Sequence, residues 1–253
     1  MDVAPFLSPG GIPVLNAVHP GDGRIRHACP ACARATPIGR QRHGRREALA
    51  RHLHAQAFAA LVLSGSYEEA GDSGLHRVSP GDVLLHGAHE RHLDRFGAAG
   101  SDVLVLPLPA DWRGAAHARA SDPDRIVQLA ERDIPAAVAE LLAGLLPAPS
   151  FDHDWPARLA HALLEEPGLS LAHWGDAHGL HRGSLSRGFR RVFGLSPKAF
   201  RLHARTHAAL RLLHGRTLRG AEIAQACGFA DQAHMGRALR ALTGLSASQL
   251  RRA

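Results

Sequence analysis

The sequence predicts an α+β protein in which an amino-terminal antiparallel β-barrel precedes connecting helices and an all-α carboxy-terminal domain. Two observations support this class: short apolar runs joined by tight turns fill the first half, and well-capped helical segments fill the second. A third is a helix, glycine turn, helix unit that occurs twice near the end. With 253 residues, 45% of them hydrophobic, the chain is long enough for two modest cores.

Composition shifts divide the chain into four segments. We expect an irregular arm over residues 1–45, with a short strand near 12–18, because Pro and Gly are scattered there without a period. The barrel domain is predicted over 46–110 and the connecting helices and linker over 111–150. The helical domain is predicted over 151–253, after a Pro-rich connector that cannot continue a helix.

The barrel strands are predicted from apolar runs bounded by turn residues. These runs lie at 57–63, 66–70, 75–78, 83–86 and 102–108. The tetrapeptide GDSG at 71–74 is similar to the nucleophile loop of trypsin-like proteases, but hairpin-turn chemistry is sufficient to explain it. Beyond the barrel, Asp122 and Pro123 mark a helix start, and one or two helices follow with a break near Pro135.

Each helix of the carboxy-terminal domain has a sequence signal at its ends. Ser170, Ser196 and Asp231 are predicted N-caps, and Ser246 with Gln249 is a predicted capping box. The predicted helices cover 155–166, 171–178, 182–193, 197–214, 219–227 and 232–243, with a final one after Ser246.

The net charge of +7 is distributed unevenly. Residues 1–150 carry 15 basic and 16 acidic side chains, whereas residues 151–253 carry 15 basic and 7 acidic ones. Such asymmetry indicates a polyanionic partner for the carboxy-terminal domain, because neutralising phosphates releases counterions. Lys198 is the only lysine. A GC-rich genome would explain Arg in place of Lys, but it does not explain the asymmetry.

The two helix, turn, helix units align with each other at a nearly constant offset. Trp174 matches Ile223 at an offset of 49, and after a one-residue insertion Leu185 matches Met235 at an offset of 50. In each unit the first helix would brace the DNA backbone and the second would enter a major groove. The unit is therefore a candidate helix-turn-helix motif.

Residues 169–252 resemble the DNA-binding domain of the AraC/XylS family of bacterial regulators. The resemblance depends on AEIA at 221–224 and CGFADQ at 227–232, with support from Arg205 and from GLS at 244–246. It implies double-stranded promoter DNA as the partner. The positions implied to face DNA are Arg182, Gly183, Ser186, Arg187, Arg190, Gln232, Ala233, His234, Gly236 and Arg237, with Arg191 placed to reach a phosphate or a neighbouring acidic group.

Helical spacing independently supports the first of these surfaces. Arg182, Ser186 and Arg190 recur every four residues, on the face opposite an apolar one. Arg187 and Arg237 are the best candidates for base contacts, because an arginine can bond both acceptors of a guanine edge. The alternative is that these are ordinary solvated helix faces.

The barrel segment is similar to the cupin-type sensing domain that often precedes this DNA-binding unit. The similar stretches are RHLH at 51–54, PGDVLLH at 80–86 and HERH at 89–92. Metal-binding cupins would nominate His52, His54 and His92 as ligands of a divalent metal, with either Glu68 or Glu69 as the acidic ligand. A barrel without metal, holding a small-molecule pocket, is the alternative that we favour.

The cysteines allow fewer inferences. Cys29 and Cys32 form a single Cys-x-x-Cys pair, with His27 and His43 nearby. One such pair supplies too few ligands for a structural zinc site. Two ordinary thiols are therefore the simpler explanation. Cys227 is expected in a core. Three cysteines and no long apolar stretch lead us to expect a cytoplasmic protein without a membrane segment.

These patterns predict a sequence-specific DNA-binding transcription regulator with no catalytic residues. We expect a homodimer that responds to a small-molecule effector. The rival hypotheses are a metal-dependent cupin enzyme with an appended DNA-binding domain, and a basic structural protein that binds any duplex. No cofactor is expected other than the metal considered above.

Overall fold

A computed structural model of the chain describes residues 36–148, 154–166, 168–215 and 217–252. The apolar runs and their turns form antiparallel strands, as the alternation predicts. The strands are β1 (Gly39–His43), β2 (Ala48–Leu53), β3 (Phe58–Gly71), β4 (Gly74–Val78), β5 (Asp82–His86), β6 (Arg91–Pro107), β7 (His117–Ala120) and β8 (Leu145–Pro147).

The helices begin and end close to the predicted positions. They are α1 (Pro123–Ala130), α2 (Ile134–Ala143), α3 (Trp155–Glu165), α4 (Leu171–Ala177), α5 (Arg182–Phe193), α6 (Pro197–His214), α7 (Gly220–Ala226), α8 (Gln232–Thr243) and α9 (Ala247–Leu250). The predicted capping box of Ser246 and Gln249 is present. The α+β class is confirmed, with the sheet first and the helical domain after it.

The strands of the described chain form one antiparallel sheet. Its order is β1-β6-β3-β5-β7-β8, with β2 also paired to β6 and β4 to β3. Alternate residues of β3 enter different cores, because successive side chains of a strand point to opposite faces. Phe58 and Ala60 face a core with Tyr67, whereas Ala59 and Leu61 face one that α1 and α2 cover.

The long strands β3 and β6 bend at a pair of glycines. Gly65 has φ of +73° and Gly100 has φ of +76°, which is the left-handed region. A Cβ on Gly65 would overlap the Gly100 carbonyl oxygen. The strand register shifts on both sides of Gly65, so the sheet curves there without ending.

Four details of the predicted barrel were wrong. Strand β1 lies in the segment expected to be an irregular arm, because it gains its stability from pairing with β6 and not from an apolar pattern of its own. Strand β3 continues through Gly65, although a break was expected there. Strand β6 begins at Arg91, well before residue 102, and the expected end of the connecting helices forms β8. The sheet thus extends beyond residues 46–110 on both sides.

The barrel and the helical domain share hydrophobic cores. Ala70, Leu75 and Leu93 of the sheet pack in one core with α3 and α5. Leu53 packs in another with α6, α7 and α8. In the described residues, no helix has both the length and the apolar composition that a membrane span requires.

Candidate functional site

The first helix-turn-helix unit consists of α4 and α5. Ser170 caps α4 by accepting a hydrogen bond from the His173 amide at 3.3 Å. A Cβ on Gly175 would lie 2.9 Å from the Leu180 carbonyl oxygen and 3.2 Å from Leu185. Glycine disfavours a helix, but here it lets α4 approach the turn and α5 closely.

Helix α5 has one buried face and one exposed face. Leu185, Phe189 and Phe193 are buried in the core. Arg182, Arg187 and Arg190 are exposed, while Gly183 and Ser186 are half-buried. The residues expected to contact DNA are therefore all at least partly accessible on α5.

The glycine at 183 gives room to the arginine one turn later. A Cβ there would lie 3.1 Å from the Arg187 Nη1 atom. The guanidinium thus lies along the helix surface beside Gly183, close to the first turn of α5. Recognition helices contact base edges mainly through their first turns, so this is a suitable position for Arg187.

The second unit repeats this arrangement in α7 and α8. Asp231 caps α8 by accepting from the His234 amide at 2.6 Å. The buried face of α8 consists of Met235, Leu239 and Leu242 together with Thr243. The predicted contact residues lie elsewhere on the helix: Gln232, Ala233 and Arg237 are exposed, and His234 and Gly236 are half-buried.

Helix α6 links the two units. It has 18 residues and is therefore about 27 Å long. Phe200 packs at its start in the core of the first unit, and Leu210 and Leu213 pack near its end in the core of the second. Because each end is buried in a different unit, α6 holds α5 and α8 at a set separation.

A second candidate site lies inside the barrel. Glu69 of β3, His86 of β5 and His92 of β6 are buried, and their candidate ligand atoms lie within 4.8 Å of one another. His92 also forms a group of the same size with His52 and His54. The three histidines predicted as metal ligands are therefore brought together.

The buried donors of this cluster are suited to a metal. In the described residues, no hydrogen-bond partner reaches His86 Nε2 or His92 Nδ1. The Glu69 carboxylate lies 3.4 Å from His86 Nε2. Buried polar atoms without partners are costly, and two imidazoles with a carboxylate form a common donor set for first-row divalent metals.

The ionisation states in the cluster follow from burial and neighbouring charge. Burial raises the pKa of Glu69. The charges of His86 and His92 lower this pKa by more than burial raises it, so the net shift is downward. For His86, burial lowers the pKa, but the Glu69 charge outweighs it and the net shift is upward. Burial holds the pKa of His92 well below its usual value. The ionised carboxylate of Glu69 and the neutral imidazole of His92 are forms that bind metals, whereas His86 would release its proton on binding one.

The structure distinguishes the two acidic candidates and adds a histidine. Glu68 pairs with Arg77 at 3.2 Å and with Arg95 at 3.3 Å near the surface, so Glu69 is the residue that faces the cluster. Sequence reasoning did not nominate His86. Every residue of β5 is buried, so alternation could not show which face His86 occupies.

The cysteine pair cannot be assessed in the same way. Cys29, Cys32 and His27 lie outside the described residues. The ring of His43 stacks on Phe96 at 4.0 Å. Cys227 is buried among the residues of the second unit, as expected.

A network of ionic hydrogen bonds joins the barrel to α6. Asp72, in the turn between β3 and β4, accepts hydrogen bonds from Arg51, from His203 Nδ1 at 3.2 Å and from His207 Nε2 at 3.1 Å. The backbone amide of Arg91 donates to the same carboxylate at 3.1 Å. Burial raises the pKa of Asp72, but Arg51 and the two histidines outweigh it and hold the pKa well below its usual value.

Two barrel arginines also bind the carboxy-terminal end of α5. Arg51 donates to the Phe193 carbonyl at 3.2 Å. Arg95 donates to the carbonyls of Arg191 and Val192 at 2.8 and 3.0 Å. The last carbonyls of a helix lack partners within it and carry partial negative charge, so these cations stabilise the end of α5.

Comparison with known proteins agrees with the architecture of the helical domain. Residues 174–253 match a family model described as a helix-turn-helix domain. No curated protein matches the chain.

Among solved structures, the carboxy-terminal domain of AraT from Geobacillus stearothermophilus is 24% identical, with 41% of this chain and 88% of that chain covered and a TM-score of 0.37. ToxT from Vibrio cholerae is 9% identical, with 84% and 98% covered and a TM-score of 0.40. A probable AraC family transcriptional regulator from Rhodopseudomonas palustris CGA009 is 21% identical, with 39% and 96% covered and a TM-score of 0.37.

All three TM-scores lie below 0.5, so the classification depends on the family model and the motifs. The matched residues cover most of α4 and all of α5 to α9, so both the family model and the geometry define a helix-turn-helix domain at this end of the chain.

Proposed function

We propose that this protein is a transcription regulator of the AraC type that reads promoter DNA with both helix-turn-helix units. The main supporting observation is that α5 and α8 each bury an apolar face and expose Arg187 or Arg237 at matched positions. Helix α6, about 27 Å long, connects the two units, and successive major grooves on one DNA face are about 34 Å apart. Each helix would then enter one groove.

The exposed faces of α5 and α8 differ in charge. Arg182, Arg187 and Arg190 give α5 a strongly basic face, while α8 exposes Gln232 and Arg237. Apart from its own helix, no described part of the chain comes within 4 Å of a Cβ built on Gly236. The surface of α8 is thus open to close approach by DNA. We propose base contacts from Arg187, Arg237 and Gln232, and phosphate contacts from the remaining arginines.

Paired arginine variants test this proposal. Fragments of the source genome that bind the full chain are selected first, and affinity is then measured by fluorescence anisotropy at fixed salt. Arg187→Ala and Arg237→Ala should each cost about 1 to 3 kcal/mol of discrimination between the selected and a random duplex. Arg158→Ala, an exposed arginine on α3, removes the same charge and should leave discrimination unchanged. If each of the three variants loses the same affinity for the selected duplex as for the random one, base contacts by Arg187 and Arg237 are refuted.

We further propose that the barrel is a sensing domain and that Glu69, His86 and His92, assisted by His52 and His54, bind a first-row divalent metal. The supporting observation is the set of buried ligand atoms within 4.8 Å, two of them imidazole nitrogens without a hydrogen-bond partner in the described residues. The metal would replace the missing partners. The residues of this chain supply the donors and exclude water.

Neighbouring glutamates provide a matched test of the metal site. Glu69→Gln removes the ligand charge with little change in size, and should lower Co²⁺ or Zn²⁺ affinity by more than the roughly 10- to 100-fold typical of losing an outer-shell partner. Glu68→Gln changes the adjacent residue on the other face of β3 and should leave affinity unchanged. Metal titration of the purified full chain, followed by Co²⁺ absorption, measures both. Equal affinities for the two variants would contradict the assignment.

The enzyme alternative makes a different prediction from the same site. A metal-dependent cupin enzyme would turn over a substrate when loaded, whereas a sensor would show only a change in DNA affinity. The homodimer and the cytoplasmic location stay predictions. Sedimentation of the full chain measures the first.

A further inference from the structure

A cavity of about 250 Å³ lies between the barrel and the second reading helix. Arg91 of the barrel lies on one side, His203 of α6 forms part of the floor, and His234 and Arg237 of α8 lie on the other side. At about 30 Å³ for each water, the cavity has room for roughly eight water molecules or for a small organic acid.

Arg91 is a buried cation that forms no ion pair with the part of the chain that the structure describes. It is 6% exposed, and no carboxylate oxygen of the described residues lies within 4.0 Å of its guanidinium nitrogens. The Asp72 carboxylate, whose charge acts on Arg91, already accepts hydrogen bonds from Arg51, His203 and His207. Burial lowers the pKa of Arg91 despite the charge of Asp72. A buried charge without a counterion is costly.

The rest of the cavity wall matches an anion with an apolar part. Among the described residues that line it, the ionisable ones are all basic, and none is acidic. The remaining wall is mostly aliphatic and includes Leu202 and Leu242. Neutral polar ligands would leave Arg91 without a counterion, and inorganic anions would leave the aliphatic wall unfilled.

We propose that this cavity binds a small organic carboxylate whose charged group pairs with the Arg91 guanidinium and whose apolar part packs between α6 and α8. The inference rests on the proposed regulatory function, for which it names the chemical class of an effector. The bound acid would contact His234 and Arg237, two of the proposed DNA-facing residues. Occupancy of the cavity is therefore coupled to DNA affinity.

Calorimetry on the full chain tests the proposal with benzoate and hexanoate as probes. Benzamide and hexanamide serve as uncharged controls of the same shape. The carboxylates should bind at least about tenfold more tightly than their amides, because the charge-assisted contact is lost in the amides. Equal affinity within each pair would overturn the inference, and so would tighter binding of inorganic phosphate, which would assign the cavity to the DNA backbone.

Variants at Arg91 locate the binding. Arg91→Met should weaken the carboxylates at least about tenfold, whereas Arg91→Lys should retain most of the affinity. Arg42→Met, an 83% exposed arginine of the barrel, should have no effect. Without probe, the Tm of Arg91→Met should not fall, since the variant loses a buried cation that has no ion pair to any described residue. If this variant does not fold, the comparison of acids with amides on the native chain decides.

DNA anisotropy separates failure of this inference from failure of the proposed function. If the native chain discriminates its selected duplex but no carboxylate binds, the effector site is wrong and DNA reading remains. If carboxylates bind through Arg91 but no duplex is preferred, the cavity remains and the regulatory function is wrong.

Discussion

At the scale of single residues, Asp72 has a role that its sequence context does not indicate. The GDSG tetrapeptide forms the hairpin turn between β3 and β4, as turn chemistry predicts. Its aspartate, however, lies at the contact between the barrel and α6 and accepts hydrogen bonds from both sides. Asp72 is buried, so removing any one of its partners would leave a charge poorly compensated.

The histidine opposite Asp72 makes this contact dependent on pH. Burial lowers the pKa of His203, and the charges of Arg91 and Arg51 add to this, so that the contact with Asp72 does not restore the usual value. A folded-state pKa below the unfolded value of about 6.5 stabilises the fold above that pH. The contribution is lost as the pH falls through the folded-state pKa.

We therefore expect His203→Gln to flatten the pH dependence of stability between about pH 7 and pH 5. The difference in slope from the native chain should be at most about 1.4 kcal/mol per pH unit, which corresponds to one proton. Urea unfolding followed by tryptophan fluorescence at several pH values measures it. Other half-buried histidines, including His43 and His117, also have lowered pKa values, but they contribute equally to both proteins. Identical slopes would show that His203 does not titrate with unfolding.

Glutamates 68 and 69 show how far residue-level prediction extends. The strand pattern places them on opposite faces, but which face is internal depends on the register with β6. The bulge at Gly65 sets that register. Sequence reasoning could thus name the pair of candidates but could not choose between them.

At the scale of secondary-structure elements, the two reading helices use glycine differently. A Cβ on Gly188 of α5 would overlap the Trp155 ring of α3, so this glycine permits close helix packing. Apart from its own helix, a Cβ on Gly236 of α8 would meet no described part of the chain within 4 Å. Glycine costs about 1 kcal/mol in a helix relative to alanine, so the two sites should respond oppositely to the same substitution.

Gly236→Ala should raise the free energy of unfolding by up to about 1 kcal/mol, because only helix propensity changes. Gly188→Ala should lower it, because the overlap with Trp155 exceeds that gain and forces α3 away from α5. Thermal unfolding of the full chain measures both, and 1 kcal/mol corresponds to roughly 2 to 4 °C in Tm for a chain of this size. A shift of the same sign in both variants would contradict this packing.

Helix positions were well predicted because their signals are local. Caps such as Ser170 and Asp231, and the left-handed glycines Gly194 and Gly244 at the ends of the reading helices, act within a few residues. Strands were predicted less well. Strands β1, β2 and β8 are stabilised by pairing with distant strands, and no local pattern indicates that pairing.

At the scale of the whole molecule, the barrel and the DNA-binding domain are joined by packing as well as by charge. Leu53 packs in the core of the second unit, and its neighbours Arg51 and His52 belong to the Asp72 network and the histidine cluster. Arg91 and His92 are likewise adjacent, one lining the interdomain cavity and the other in the cluster. Residues inside the barrel are thus adjacent in sequence to residues that contact the helical domain.

The sequence by itself determined the α+β class, the helices with their caps, the duplicated helix, turn, helix unit and the histidines of the barrel. Local hydrogen bonding, side-chain periodicity and repeat spacing are properties of short segments, so they can be recognised without the fold. Only the tertiary structure decided that Glu69 and His86 join the histidine cluster, that Asp72 bonds to α6, and that Arg91 lies beside a cavity with no ion pair to any described residue. These arrangements depend on strand register and on domain contacts between residues far apart in the chain. The chemistry of these groups depends on their burial, which exists only in the folded chain.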